Sequence, residues 1–172
     1  LFVIIFLFTT NQNAKEILIY ANKISYDSDK NIIAAGDAKV INGDEIITSQ
    51  LIIYNSKEKK YLLPKKFTYK DSLNNYYLGS SGFFDEKMIN AEIEDVKMLL
   101  SDGTRIVGKK AIKKDKIDII NKAAYSQCKS KIRIKNFICP IWQLEAETFL
   151  HDNKNLFLYQ KHTKMKIVNT PV

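Results

Sequence analysis

Apolar and polar positions along this chain follow one plan, a strand, a polar turn and a second strand, and the plan returns at intervals. The first copy is Ala21-Asn22-Lys23-Ile24-Ser25-Tyr26-Asp27, the turn Ser28-Asp29-Lys30-Asn31, then a run from Ile32 to Val40. It returns at Ser49 to Asn55, with the turn Ser56-Lys57-Glu58-Lys59-Lys60 and then Tyr61-Leu62-Leu63. Further copies begin at Gly79, with Phe83-Phe84-Asp85 ahead of the turn, and at Glu145, with Leu150-His151-Asp152 in the same place. A weaker copy runs from Gly108 to Ile119. The spacing is about 28 to 30 residues, within the range of stacked repeat units, and the last interval is longer because a cysteine-bearing loop is inserted.

The strands are rich in Ile, Val, Tyr and Phe, and the turns are clusters of Asp, Asn, Ser and Lys, whose short side chains bond to the nearby backbone. Asp85 to Leu100 comes nearest to a helical period, without clear caps. The repeats predict an almost all-β fold, a stacked β-jelly roll or β-sandwich of strand-turn-strand repeats. Alternation places Ile24 with Tyr26 on one face, Ile32, Ala34, Gly36, Ala38 and Val40 on one face, and Ile52 with Tyr54 on another. With Phe84 of the third copy, the residues Ile24, Tyr26, Ile32, Ala38, Val40, Ile52 and Tyr54 are expected to face the interior. That interior is either a packed core or an apolar groove.

The ends and the composition set the context. Leu1 to Phe8 is an unbroken apolar run followed by polar residues to Asn13. A bilayer span needs about 20 apolar residues, so this run fits the hydrophobic stretch of a signal peptide, with cleavage near Asn13 or Ala14. No Met or basic leader precedes it, so residues 1–14 are expected to be the remainder of a longer leader. The domain proper is then 15–160, and 161–172 begins a connection to whatever follows. The chain of 172 residues carries a net charge of +8 and is 45% hydrophobic, as suits a globular domain. A basic surface suits phosphate-bearing partners. The charge is nearly all lysine, since only Arg105 and Arg133 are arginines, and this argues against a nucleic-acid reader, which leans on bidentate arginine contacts. The abundance of Lys, Ile and Asn is also what AT-rich coding produces.

Catalytic and cofactor chemistry is hard to find, and none is expected. His151 and His162 are the only histidines, and His151-Asp152 stands where other copies carry Phe84-Asp85 or Tyr54-Asn55, a turn pair by position. Cys128 and Cys139 are too few for a zinc cluster, and the glycines form no phosphate-cradling loop. The carboxylates form no paired site. For the two cysteines three states stay open: buried thiols, a local bridge worth about 3 kcal/mol in the chain-entropy model, or bonds to cysteines elsewhere in a longer polypeptide.

The repeats of the type Ala21-x-x-Ile24-x-Tyr26-Asp27 followed by Gly36-Asp37-Ala38-Lys39-Val40 resemble the OstA-like jelly-roll repeat of lipopolysaccharide-transport proteins. The segment Ala124-Tyr125-Ser126-Gln127-Cys128, then Pro140-Ile141-Trp142-Gln143-Leu144-Glu145-Ala146, then His151-Asp152, resembles the LptD family of outer-membrane lipopolysaccharide-assembly proteins, where it precedes a β-barrel. The resemblance covers roughly residues 17–172. It implies a periplasmic domain of an outer-membrane protein that receives lipopolysaccharide from a periplasmic jelly-roll bridge protein and passes it to a barrel, itself plugged by an outer-membrane lipoprotein. It implies acyl chains along the apolar interior, edge-to-edge docking at the strands from Ile17 to Val40, and a disulfide from Cys128 to a barrel cysteine, with Cys139 matched less well. A free-standing periplasmic bridge protein that binds and relays the lipid is the alternative. A secreted polysaccharide enzyme would need clustered carboxylates, which the sequence does not show.

Overall fold

The computed structural model describes residues 17–127, 131–134, 137–155, 157–168 and 170–171, with the backbone alone for 131–134 and 137–139. Its regular structure is antiparallel β throughout. The short strands β1 (Ile17–Tyr20) and β2 (Lys23–Tyr26) lie along the two halves of the long strand β3 (Ile32–Asn42). β3 can serve two sheets because it turns in the middle. The register shifts between Ala35 and Ala38, where Gly36 and Asp37 have φ of 76° and 47°. This is a β-bulge with a glycine in the left-handed region.

The partner strand β4 (Glu45–Asn55) divides in the same way, pairing its second half with β5 (Lys60–Leu63) and its first half with β6 (Phe67–Lys70). From there the chain alternates between two sheets. β6 and β7 (Tyr76–Gly79) lie in the first, β8 (Ser81–Asp85) and β9 (Asn90–Glu94) in the second, β10 (Lys97–Leu99) and β11 (Arg105–Val107) in the first, and β12 (Lys110–Lys114) in the second. The long strand β13 (Ile117–Ser126) rejoins them, pairing with β12 through one half and β11 through the other. Among the described residues the hairpin β14 (Lys131–Ile134) and β15 (Phe137–Pro140) pairs only with itself, and β16 (Trp142–Asp152) then runs the length of β13. β17 (Phe157–Lys161) and β18 (Lys164–Ile167) take the two halves of β16, and β19 (Thr170–Pro171) pairs with β18. The result is the expected stacked β-jelly roll: two sheets face each other between long strands that belong to both.

The turns confirm the reading of polar clusters. Asp27 Oδ1 accepts from the N–H groups of Asp29 and Asn31, Asn55 Oδ1 from Lys57 and Glu58, and Asp152 Oδ1 from Lys154 and Asn155. The same Asx device closes the opposite tips at Asp71 and Asp102. A following residue takes positive φ, among them Lys30, Lys59, Asn74 and Met88.

Asp85 to Leu100, the nearest approach to a helical period in the sequence, holds a turn and the strands β9 and β10, in keeping with the all-β expectation. Its period is two: Ala91 and Ile93 are buried, while Glu92 and Glu94 turn outward to Lys110. The basic segment after Cys128 contains the hairpin β14–β15 where a plain loop was expected.

Candidate functional site: the interior between the sheets

Residues directly opposite each other on antiparallel strands share a face, so the register defines the rows that line the interior. In the first sheet one row reads Ile19, Val40, Ile47, Tyr69 and Tyr77, and continues through Met98, Ile106, Tyr125, Leu144 and Met165. It is apolar or aromatic from the first strand to the last ladder. In the second sheet the matching row begins Tyr26, Ile32, Tyr54, Tyr61, Phe84 and Ala91. It then changes character to Lys113, Asp118 and His151 before returning to Leu158.

The predicted interior residues divide by position along these rows. Ala38, Val40, Ile52 and Phe84 are fully buried. Phe84 meets Tyr69 of the facing sheet at 4.6 Å between ring centroids and Phe67 edge-on at 5.8 Å, so the middle of the interior is filled by aromatic side chains. Ile32 and Tyr54 are half-buried, and the Tyr54 hydroxyl donates to Glu86 at 2.5 Å. Burial, seconded by that carboxylate, pushes the Tyr54 phenol up to about 12. Tyr26 begins the second row, opposite Ile32, and Ile24 begins the neighbouring inward row of Ala34 and Ile52, yet Ile24 and Tyr26 are 48% and 72% exposed. They sit where the sandwich opens at its N-terminal end. Met165, at the other end of the first row, is exposed as well. The interior is therefore a packed core in the middle with an apolar mouth at each end.

The polar stretch of the second row was not foreseen. Asp118 is 1% exposed. Its Oδ2 accepts from Tyr77 Oη of the facing sheet at 3.0 Å and from Asn153 Nδ2 at 2.8 Å, with His151 Nδ1 3.5 Å away. Its Oδ1 is buried without a partner among the described residues. The Tyr77 hydroxyl also lies 3.4 Å from Asp71, a second buried carboxylate held by Asn75. Burial, reinforced by Asp118 and Asp71, holds the Tyr77 phenol far above its ordinary range. This cluster ties one sheet to the other across the interior. A signal for half of it was present: His151 aligned with Phe84 and Tyr54 in the repeat, and it does share their row. Asp152 alone is the turn residue of that pair.

The two parts of the motif on either side of the hairpin come together. Tyr125 packs against Trp142 and Phe149 at 6.1 Å each, and Ser126 Oγ donates to the Trp142 carbonyl at 2.7 Å. Cys128 and the Cys139 side chain lie outside the described residues, as does the apolar run at 1–14; the Cys139 backbone stands opposite Ile132 in the hairpin.

No family model matches the chain, and no curated protein matches it. Among solved structures it is similar to LptH from Pseudomonas aeruginosa, described as the LptA homologous periplasmic component of the lipopolysaccharide transport device, with 11% identity over 89% of this chain and 95% of that one and a TM-score of 0.32. So low a score lends no weight to a functional argument, and the fold rests on the strand register described above.

Proposed function

We propose that this domain carries lipopolysaccharide, taking its acyl chains into the space between the two sheets and relaying them along the apolar rows. The observation that carries the reading is the exposed apolar mouth, Ile24 and Tyr26, continuous in register with the buried rows behind it. Water-exposed side chains on an inward-facing row are costly unless something covers them. The resemblance of the repeats to OstA-like transport proteins names the occupant. In this reading the lipid arrives from a periplasmic jelly roll that docks at β1 and β2. It leaves beyond β17 and β18 toward a barrel in the outer membrane, and function is transport without turnover. The motif that joins Tyr125 to Trp142 supports the barrel-bearing family over the free-standing bridge protein, which stays the alternative. Titrating the purified chain with lipopolysaccharide, followed by sedimentation, should give a saturable complex. A chain that stays unbound at all ratios contradicts the proposal.

A further inference from the structure

The outer face of the first sheet carries a groove that the lipid reading does not use, and the inference drawn from it stands on the groove alone. Its floor is one cross-strand row, Lys39, Thr48, Thr68, Leu78 and Lys97, facing away from the interior. Its rim is formed where the strands bend toward the second sheet, with Asp37, Gln50, Lys66, Ser80 and Asp95. The groove is open to solvent and has a volume of about 750 Å³. The row crosses four strand spacings, so the groove is about 19 Å long.

The charges are unevenly satisfied. Asp95 accepts from Lys109 at 2.6 Å and from Ser80 at 3.0 Å, and Asp37 accepts from Asn22 and Gln50. Lys39, Lys66 and Lys97 have no carboxylate or other side-chain partner among the described residues. With Lys109 counted beside Asp95, four lysines face two aspartates whose oxygens are already engaged. Between the unpaired ammonium groups lie the hydroxyls of Thr48 and Thr68, the Gln50 amide and the Leu78 side chain. Phe67, the ring in the lining, is buried, and the exposed ring of Tyr20 stands opposite Lys39 at the end of the row, where the apolar face of a sugar can lie on it.

The geometry points to a binding site for an anionic oligosaccharide, its hydroxyls meeting Thr48, Thr68 and Gln50 and its acidic groups meeting Lys39, Lys66 and Lys97. A concave strip with positive groups at both ends and in the middle concentrates an extended anion. Hydroxyl and amide groups between them exchange donors and acceptors with sugar hydroxyls.

The test is amide chemical-shift mapping on the ¹⁵N-labelled chain, titrated with tetragalacturonate, a phosphorylated glucosamine disaccharide, maltotetraose and inorganic phosphate. At least one of the two anionic saccharides should shift the amides of Thr48, Thr68, Leu78 and Lys97 saturably, and which of them binds tells carboxylate from phosphate as the acidic group. Maltotetraose should leave these amides in place. Lys39→Gln, Lys66→Gln and Lys97→Gln together should weaken that binding by about tenfold. A control triple, Lys57→Gln, Lys114→Gln and Lys116→Gln, carries the same charge change away from the groove and should keep the affinity. Equal weakening by both triples would reduce the effect to net charge and overturn the site. So would shifts with inorganic phosphate and neither saccharide, or shifts that fall outside the groove.

Discussion

At the scale of single residues, one position ties the two sheets together and another lets two neighbouring strands of one sheet pair closely. Tyr77 supplies the hydroxyl that reaches Asp118 from the opposite sheet. Tyr77→Phe keeps the ring in the core and removes one of the few donors to a buried carboxylate. A buried acceptor left short of partners costs about 1–3 kcal/mol, so the unfolding free energy should fall by that amount, seen as a lower urea midpoint at unchanged slope. Tyr54→Phe, whose hydroxyl meets a half-exposed Glu86, should cost less, because water can replace it. If the two variants are equally stable, Asp118 has another partner. Gly82 is the second position. A Cβ there would land on the Glu92 carbonyl oxygen of the neighbouring strand, which is backbone and cannot swing aside. Gly82→Ala should destabilise by about 1–3 kcal/mol, read from the same denaturation curve.

At the scale of elements, much was legible in the sequence and some was not. The turns were visible because Asp27, Asn55, Asp85 and Asp152 act locally, through oxygens that bond the backbone two to four residues on. The inward rows were visible as far as alternation held. Tyr26, Ile32 and Tyr54 fall on one row with Phe84, and Ile24 falls on the neighbouring row with Ala34 and Ile52, but the sequence could not say which end of a row is open. That depends on what lies across the sandwich, a nonlocal fact. The cluster at Asp118 was hidden for the same reason. Its contacts span 41 residues to Tyr77 and 33 to His151, and an isolated Asp in a strand looks like any outward polar residue. Met88 and Asp95 take positive φ, so the alternation between Asp85 and Leu100 is broken into short strands.

The edge strand β2 makes a separate prediction at this scale. It pairs with β3 on one side, and no described strand covers its other side. Successive N–H groups on a strand point to opposite edges. Of Ile24→Pro and Ser25→Pro, one therefore removes a ladder bond and the other only an edge donor. The edge variant should fold, by circular dichroism, and lose binding to a partner jelly roll in a pull-down. Full binding by both variants would argue against strand addition at this edge.

At the scale of the whole molecule, the core is unusually phenolic, and this sets its response to alkali. Tyr61, Tyr69 and Tyr77 are buried in one continuous interior, and burial is the first cause that raises each of them above the ordinary value of 10.0. A group whose folded pKa is raised lends stability that is complete below its unfolded pKa and is lost as pH rises toward the folded value. The loss therefore begins near pH 10.0 and deepens above it. Tyrosinate absorbance and loss of the β-sheet dichroism should rise together in a single alkaline transition. Buried tyrosines that ionise while the sheet signal holds would contradict a packed interior.

The central claim is that lipid enters between the sheets by way of the mouth that Ile24 and Tyr26 line. The most direct measurement is site-specific photo-crosslinking in intact cells making lipopolysaccharide, with a benzophenone amino acid at Ile24 or Tyr26 and, as controls, at Lys30 and Lys59 in the outward turns. The account predicts lipopolysaccharide adducts at Ile24 and Tyr26 and none at the two lysines. Adducts confined to Lys30 and Lys59, or absent from all four positions, would contradict it.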